Sequence, residues 1–361
     1  MIPLFKIHHP KGIGEKIENL FESGFLTEGE KSDMFEKMFS DFIGNPNTCL
    51  TNSCTSALDL ARHACGIENE DEVITTAMTC LATNLPFYQR GAKLVFADVK
   101  RETGNIDPED IEKKITSKTK AIIVVHWAGQ PVDIEAISSI ASKYNIPIIE
   151  DAAHALGSNY KDAPIGQHGD FVCFSFQAIK HLTCADGGAI ACKRQEDAER
   201  IKRLRWFGLD RSIKGSQRWT QDITEGGYKY HMNNLNAVIG IEQLKNIRHL
   251  INQHKLNSAY YDENINNPRI KKLQRDKKSD SANWIYSLLT EHRENFQSYL
   301  SDNGIASDWV HVRNDQYTIF KNFRTKMPNL DYFESRLINI PVGWWLSKSD
   351  LKHIVDTVNT Y

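Results

Sequence analysis

Apolar positions in the first half of the chain follow two alternating rhythms. Phe35, Met38, Phe39 and Phe42 recur three or four apart, the spacing that gathers side chains on one helix face. Leu58, Leu60, Ala61 and Ala64 repeat that rhythm after Thr51-Asn52-Ser53, and Ile134, Ile137, Ile140, Ala141 and Tyr144 do so again. Between these helices lie short β-like runs: Glu72-Val73-Ile74-Thr75, Lys93-Leu94-Val95-Phe96, Ala121-Ile122-Ile123-Val124-Val125 and Ile146-Pro147-Ile148-Ile149. Helices alternating with short strands predict βαβ units and a mostly parallel sheet, and runs that are apolar throughout suit strands covered on both faces.

From Asn234 the rhythm changes. Leu235, Val238, Ile241, Leu244, Ile247 and Ile251 trace one long helical stripe, able to carry the chain out of the first domain. Pro268 to Ser281 is polar and basic and reads as a solvated loop or hairpin. Arg200 to Phe207 reads as a solvated helix face ending in a packed aromatic pair. Asp350 to Thr357 predicts a last helix with Leu351, Ile354 and Val355 inward. The fold class expected is α/β: a large domain over 1–245, its mostly parallel sheet flanked by helices, and a smaller C-terminal α+β domain over 246–361.

The length of 361 residues agrees with two domains, because single cores rarely grow that large. Forty-four Lys and Arg balance 46 Asp and Glu, a net charge of −2 that gives no general attraction to nucleic acid or to an anionic membrane. No apolar run reaches the roughly 18 residues of a membrane span, and Met1 to Lys6 lacks the features of a secretory signal. The seven cysteines all fall within the first 192 residues and form no C-x-x-C pair. Buried thiols in a reducing cytoplasm are expected, with no disulfide scaffold and no metal site.

Three segments carry candidate chemistry. Glu150-Asp151-Ala152-Ala153-His154 follows an apolar strand, so Asp151 stands where an open α/β sheet binds ligands or, equally, where a helix welcomes an acid. A second strand ends at Ser175, and Lys180 follows five residues later, ahead of Gly187-Gly188 and another apolar run. A lysine between two buried strands either escapes to a surface loop or loses its proton and becomes a nucleophile able to form a Schiff base. Thr51-Asn52-Ser53-Cys54-Thr55-Ser56 opens a helix with small hydroxyl residues, which is a plain cap or a phosphate site on the first N–H groups.

Taken in order, the helix-opening cup, Glu-Asp-Ala-Ala-His after a strand and Ser-Phe-x-x-x-Lys before a Gly-Gly pair resemble the fold-type I aminotransferases that depend on pyridoxal 5′-phosphate (PLP). The resemblance is specifically to the nucleotide-sugar aminotransferases of the DegT/DnrJ-like family. It extends over nearly the whole chain, through Ser23-Gly24-Phe25-Leu26-Thr27-Glu28-Gly29, Gly129-Gln130-Pro131, Gly226-Gly227-Tyr228 and Ile340-Pro341-Val342. It implies that Lys180 bonds the cofactor and that Asp151 pairs with the pyridine nitrogen. His154 would lie near the phenolic oxygen, and Cys54, Thr55 and Ser175 would hold the phosphate. Cys80 stands where relatives stack an aromatic ring on the cofactor. Lys229 stands where relatives place an Asn that reaches the phosphate of the neighbouring subunit. In the segment Val310 to Asp315, His311 or Arg313 is expected to meet substrate.

The activity implied is transfer of an amino group from L-glutamate to a keto-deoxy sugar carried on a nucleotide, at C4 or C3, in a homodimer whose subunits share their active sites. Amination of a small phosphorylated ketone uses the same residues. A sugar 3-dehydratase would carry His in place of the lysine; here Ser175-Phe176 and Gly187-Gly188 fix the register on Lys180, with His181 one step later. A PLP-binding sensor without turnover is the reading from a different class, and no DNA-binding appendage accompanies it.

Overall fold

The structure is a computed structural model that describes residues 1–213, 215 and 220–361. Its strands are β1 (Thr48–Thr51), β2 (Glu72–Thr76), β3 (Lys93–Ala97), β4 (Thr119–Val125), β5 (Ile148–Asp151), β6 (Asn159–Tyr160), β7 (Ala163–Pro164), β8 (Phe171–Ser175), β9 (Gly188–Cys192), β10 (Lys271–Lys272), β11 (Ser279–Asp280), β12 (Tyr286–Leu289) and β13 (Leu337–Ile340). Seven of them form the main sheet in the order β1-β9-β8-β5-β4-β2-β3. The pairs from β8 through β3 are parallel, while β9 runs against both β8 and β1. Six strands therefore point their carboxyl ends the same way.

Apolar runs become two-sided strands here because alternate side chains leave a strand on opposite faces. In β4, Ile122 and Val124 enter one core, and Ala121 and Ile123 enter the other. In β8, Val172 and Phe174 join the first layer, and Phe171 and Cys173 the second. The helix Glu30–Ile43 covers the first face with Phe35, Phe39 and Ile43, and the helix Cys54–Ala64 covers the second with Ala57, Leu58, Leu60 and Ala61. Phe39 meets Phe176 edge-on at 4.9 Å between centroids, and burying such a ring contributes about 1.5–3 kcal/mol.

The stripe from Leu235 to Ile251 spans two helices, Asn234–Leu244 and Ile247–Asn264, where the pattern predicts one. Lys245 and Asn246 keep backbone angles close to helical, and Asn246 N bonds Gln243 O at 3.1 Å in a tighter turn. The apolar phase survives that joint, so periodicity does not register it. Beyond it, antiparallel strands in the order β10-β12-β13 and the helices Ile247–Asn264, Arg293–Asp302 and Lys348–Thr360 enclose a third core around Tyr261, Tyr286, Leu288, Phe296, Ile338 and Ile354.

Two segments expected to be solvated do expose many of their side chains, and Trp206 and Phe207 pack together as expected, but both segments are also anchored. Within Pro268 to Ser281, β10 joins the small sheet and β11 pairs with β6. Arg275 also bonds Asp262 at 3.1 Å and the side chains of Asn283 and Ser258. In Arg200 to Phe207, Arg205 is buried between Glu28, at 2.7 Å, and Glu36, at 3.1 Å. A guanidinium paired this way tolerates burial that a lone charge does not. Among the described residues no helix is long and apolar enough to cross a membrane.

Candidate active site

Strand register brings the first group of residues together. Thr51 and Ser175 both face Gly188 across β9, one from β1 and the other from β8. Just beyond Thr51, Ser53 caps the helix Cys54–Ala64, its hydroxyl accepting the Ser56 N–H at 3.1 Å. The N–H groups of Cys54 and Thr55 open that helix, outside its own hydrogen-bond ladder, and aim its positive end at the strand termini. Gly188 makes the approach possible: a Cβ there would stand 2.5 Å from Cys54 N and 2.7 Å from Ser53 O.

The second group lies one strand over. Asp151 ends β5 level with Cys173, two residues before Ser175. Its carboxylate accepts from the Thr83 hydroxyl at 2.7 Å and from Ala153 N at 3.0 Å, and Cys54 Sγ lies 4.0 Å away. Burial, followed by the Asp151 charge, pushes the Cys54 thiol up, so it stays protonated. Glu150 serves the opposite face of the sheet: it meets the fully buried His126 at 2.7 Å and takes the Gly169 N–H. Of the two acids that end the strand, only Asp151 faces the cup.

Lys180 sits on the loop between β8 and β9, whose neck is closed by Phe176 bonding Gly187 O and Cys184 N at 2.8 Å each. Its Nζ lies 3.8 Å from the ring centroid of Trp284. Burial lowers its ammonium to about 8, against opposing contributions from Cys80, Asp151 and Cys54. Trp284 stacks on His154 with centroids 3.9 Å apart, and His154 Nε2 lies 3.4 Å from His311 Nε2. Burial first, and the Lys180 charge second, hold His154 well below the ordinary imidazole range, and they hold His311 down to about 4. Both rings are neutral near pH 7. His154 Nδ1 is buried and has no hydrogen-bond partner among the described residues.

The remaining expected residues sit at different depths. Cys80 is half-buried at the start of the helix Leu81–Gln89 and acts electrostatically on Lys180. Lys229 is exposed; its carbonyl accepts the Asn52 side chain at 3.2 Å, next to the cup of its own chain. Arg313 is spent elsewhere: its guanidinium bonds both oxygens of Asp315, at 2.7 and 2.8 Å, and also Asp331. Those partners make it a brace for the segment that carries His311, in place of an open anion site. Sequence reasoning missed Thr83 and Trp284. The Cys80-x-x-Thr83 spacing at a helix start was a readable signal for Thr83, whereas Trp284 comes from a distant segment with no local motif.

These residues fit PLP. Helix N–H groups and the Ser175 hydroxyl would hold its phosphate where Gly188 leaves room. Asp151 would meet the ring nitrogen, and the orphaned His154 Nδ1 offers a partner for the phenolic oxygen. Lys180 supplies an amine whose proton leaves easily near neutral pH.

Comparison with known proteins gives the same answer independently. A model of the DegT/DnrJ/EryC1/StrS aminotransferase family matches residues 10–359. The chain is 32% identical over 345 residues to the UDP-4-amino-4,6-dideoxy-N-acetyl-β-L-altrosamine transaminase of Campylobacter jejuni, covering 92% of this chain and 90% of that protein. The sugar aminotransferase CalS13 from Micromonospora echinospora superposes with a TM-score of 0.95 at 33% identity over 100% of both chains. DesV of S. venezuelae, solved with a ketimine intermediate, gives 0.90 at 26% identity over 96% of this chain and 93% of its own. The chain belongs to the DegT/DnrJ/EryC1/StrS aminotransferase family and is a PLP-dependent sugar aminotransferase.

Proposed function

We propose that the enzyme moves an amino group from L-glutamate to C4 of a nucleotide-linked keto-deoxy sugar, giving an amino sugar for surface glycan synthesis. The observation that carries the reading is the meeting of Lys180, Asp151 and His154 with the Cys54–Thr55–Ser175 cup at the carboxyl ends of three strands. The transaminase of C. jejuni, named for a UDP-linked 4-amino sugar, supports both the nucleotide and the position.

PLP, when bound, draws electron density from the carbon that carries the amino group. Each protein group then has a task set by its surroundings. The first N–H groups of the helix and the Ser175 hydroxyl fix the phosphate. Asp151, oriented by Thr83 and Ala153, keeps a proton on the ring nitrogen. His154, neutral and walled by Trp284, aligns the ring without adding charge. The neutral Lys180 amine takes a proton from the donor's α-carbon and, in the return half-reaction, delivers one to the sugar carbon that gains nitrogen. Donor and acceptor occupy the site in turn, so ping-pong kinetics are expected. A homodimer with Lys229 reaching the neighbour's phosphate completes the proposal; a fully active monomer would contradict that part.

The decisive experiment treats the yellow enzyme with L-glutamate and then with a panel of nucleotide-linked keto sugars and small keto phosphates. Glutamate should bleach the cofactor, and only a keto sugar nucleotide should restore the colour. Borohydride should fix the cofactor on Lys180, and Lys180→Ala should lose about 10⁴-fold in turnover while keeping its fold. Label on another lysine refutes the assignment, and restoration by a small keto phosphate alone refutes the substrate.

A further inference from the structure

Trp284 comes from the segment before β12, more than 100 positions after Lys180, yet it lies at the centre of the site. It is 2% exposed. Its indole N–H donates to Ile179 O at 2.9 Å, which ties the ring to the residue next to Lys180. Its backbone N–H donates to Ala128 O at 2.9 Å. The residues before it are held as firmly. Ala282 N bonds the Ser158 hydroxyl at 2.9 Å, His181 meets Ala282 O at 3.1 Å, and His254 meets Asn283 O at 2.9 Å. Asn283 has a left-handed backbone, φ 49°, kept in place by these buried bonds. Gly129, φ 99°, lets the opposite turn come in: a Cβ there would lie 2.9 Å from His154 O and 3.1 Å from Trp284 N. A ring fixed from so many sides is a built surface.

We propose that Trp284 is the perch of the Lys180 amine whenever that amine is not bonded to the cofactor, a positioning residue that keeps Nζ over its indole face and favours the ammonium form. The inference rests on Lys180 being the cofactor lysine. An ammonium 3.8 Å from an indole centroid is attracted by the ring's negative face, and the attraction grows where water is excluded. The lysine must leave the cofactor in each half-reaction and return to it. A free four-carbon arm samples many rotamers, and a perch restricts it to those close to the reacting carbon. Other groups also face this amine: the Asp151 carboxylate favours its charge, the Cys54 and Cys80 thiols lie near it, and His154, His181 and His311 register that charge in turn. The test therefore alters the ring alone.

The full-length enzyme is loaded with pyridoxamine phosphate, which leaves the lysine free, and pulsed with acetic anhydride from about pH 6 to about pH 10. Labelling of Lys180 is read by peptide mass spectrometry. Tryptophan carrying one, two or three fluorines is placed at 284, which weakens the ring's negative face and preserves its shape. The labelling midpoint should fall stepwise, by about half a pH unit over the series. Trp284→Phe should lie within that range and Trp284→Leu at its lower end. A midpoint independent of fluorine number overturns the perch, whether or not the leucine variant folds. Borohydride label found on a lysine other than 180 overturns the catalytic assignment instead, and the fluorine series still reports on the contact.

Discussion

The phosphate cup and the aromatic wall face the same ligand and are made in opposite ways. The cup is backbone: the start of one helix, the ends of two strands and a glycine at 188 that admits them, with Thr51, Gly188 and Ser175 in one row of the sheet. The wall is side chain: His154, Trp284 and His311 come from three segments and stack on one another. A backbone cup tolerates many side chains and serves a ligand group that never changes. A wall of rings can be exchanged residue by residue, so it is suited to adjusting proton affinity and substrate fit around one unchanging cofactor.

Asp151, beside the cup, offers the largest effect. Asp151→Asn retains the shape and the Thr83 contact but removes the charge that holds the ring proton. Turnover should fall by about 10³-fold with little change in melting temperature. A loss no larger than the one Thr83→Val produces would show that the carboxylate acts only by hydrogen bonding. The next effect belongs to the segment that carries His311. Arg313→Gln leaves the buried Asp315 carboxylate without its fork and should cost about 3 kcal/mol in urea unfolding, while the KM values of donor and acceptor stay unchanged. A raised KM at unchanged stability would return Arg313 to substrate binding. At the cup, Gly188→Ala forces a methyl group onto Cys54 N. Overpacking of about 1–3 kcal/mol predicts roughly 10–100-fold weaker cofactor retention, measured by dialysis and absorbance. Retention equal to wild type would mean that the cup is softer than its register suggests.

The same contrast explains what the sequence reveals. Cup residues lie within strand-and-turn patterns whose periodicity is local, so Cys54, Thr55, Ser175, Asp151 and Lys180 are legible from spacing and resemblance. Fold class is legible for the same reason, since β4 and β8 feed two cores by simple alternation. The wall depends on long-range packing. Trp284 adjoins Lys180 only because Asn283 adopts a left-handed backbone and Gly129 admits the neighbouring turn, and neither event leaves a periodic trace. The joint at Lys245–Asn246 hides because its near-helical angles preserve the stripe. Arg205 looks like surface charge, and Arg313 like a substrate anchor, until their carboxylate partners are seen.

The smallest effect concerns the support behind the wall. His254 is buried against the Asn283 carbonyl, and burial lowers its imidazole to about 4, below the ordinary 6.5. The unfolded chain therefore binds a proton at this residue between pH 6.5 and 4 where the folded chain does not. The stability from the neutral ring is complete above the unfolded value and drains as pH falls toward the folded one, by at most about 1.4 kcal/mol per pH unit. His154 and His181 shift in the same direction, so the wild type should weaken steadily on acidification. His254→Gln keeps a donor for Asn283 O but cannot titrate. Its urea midpoint should start slightly lower at pH 7 and decline less steeply toward pH 5 than that of the wild type. Parallel declines would place the acid sensitivity on the other buried rings, His154, His181 and His311, and leave His254 indifferent to pH.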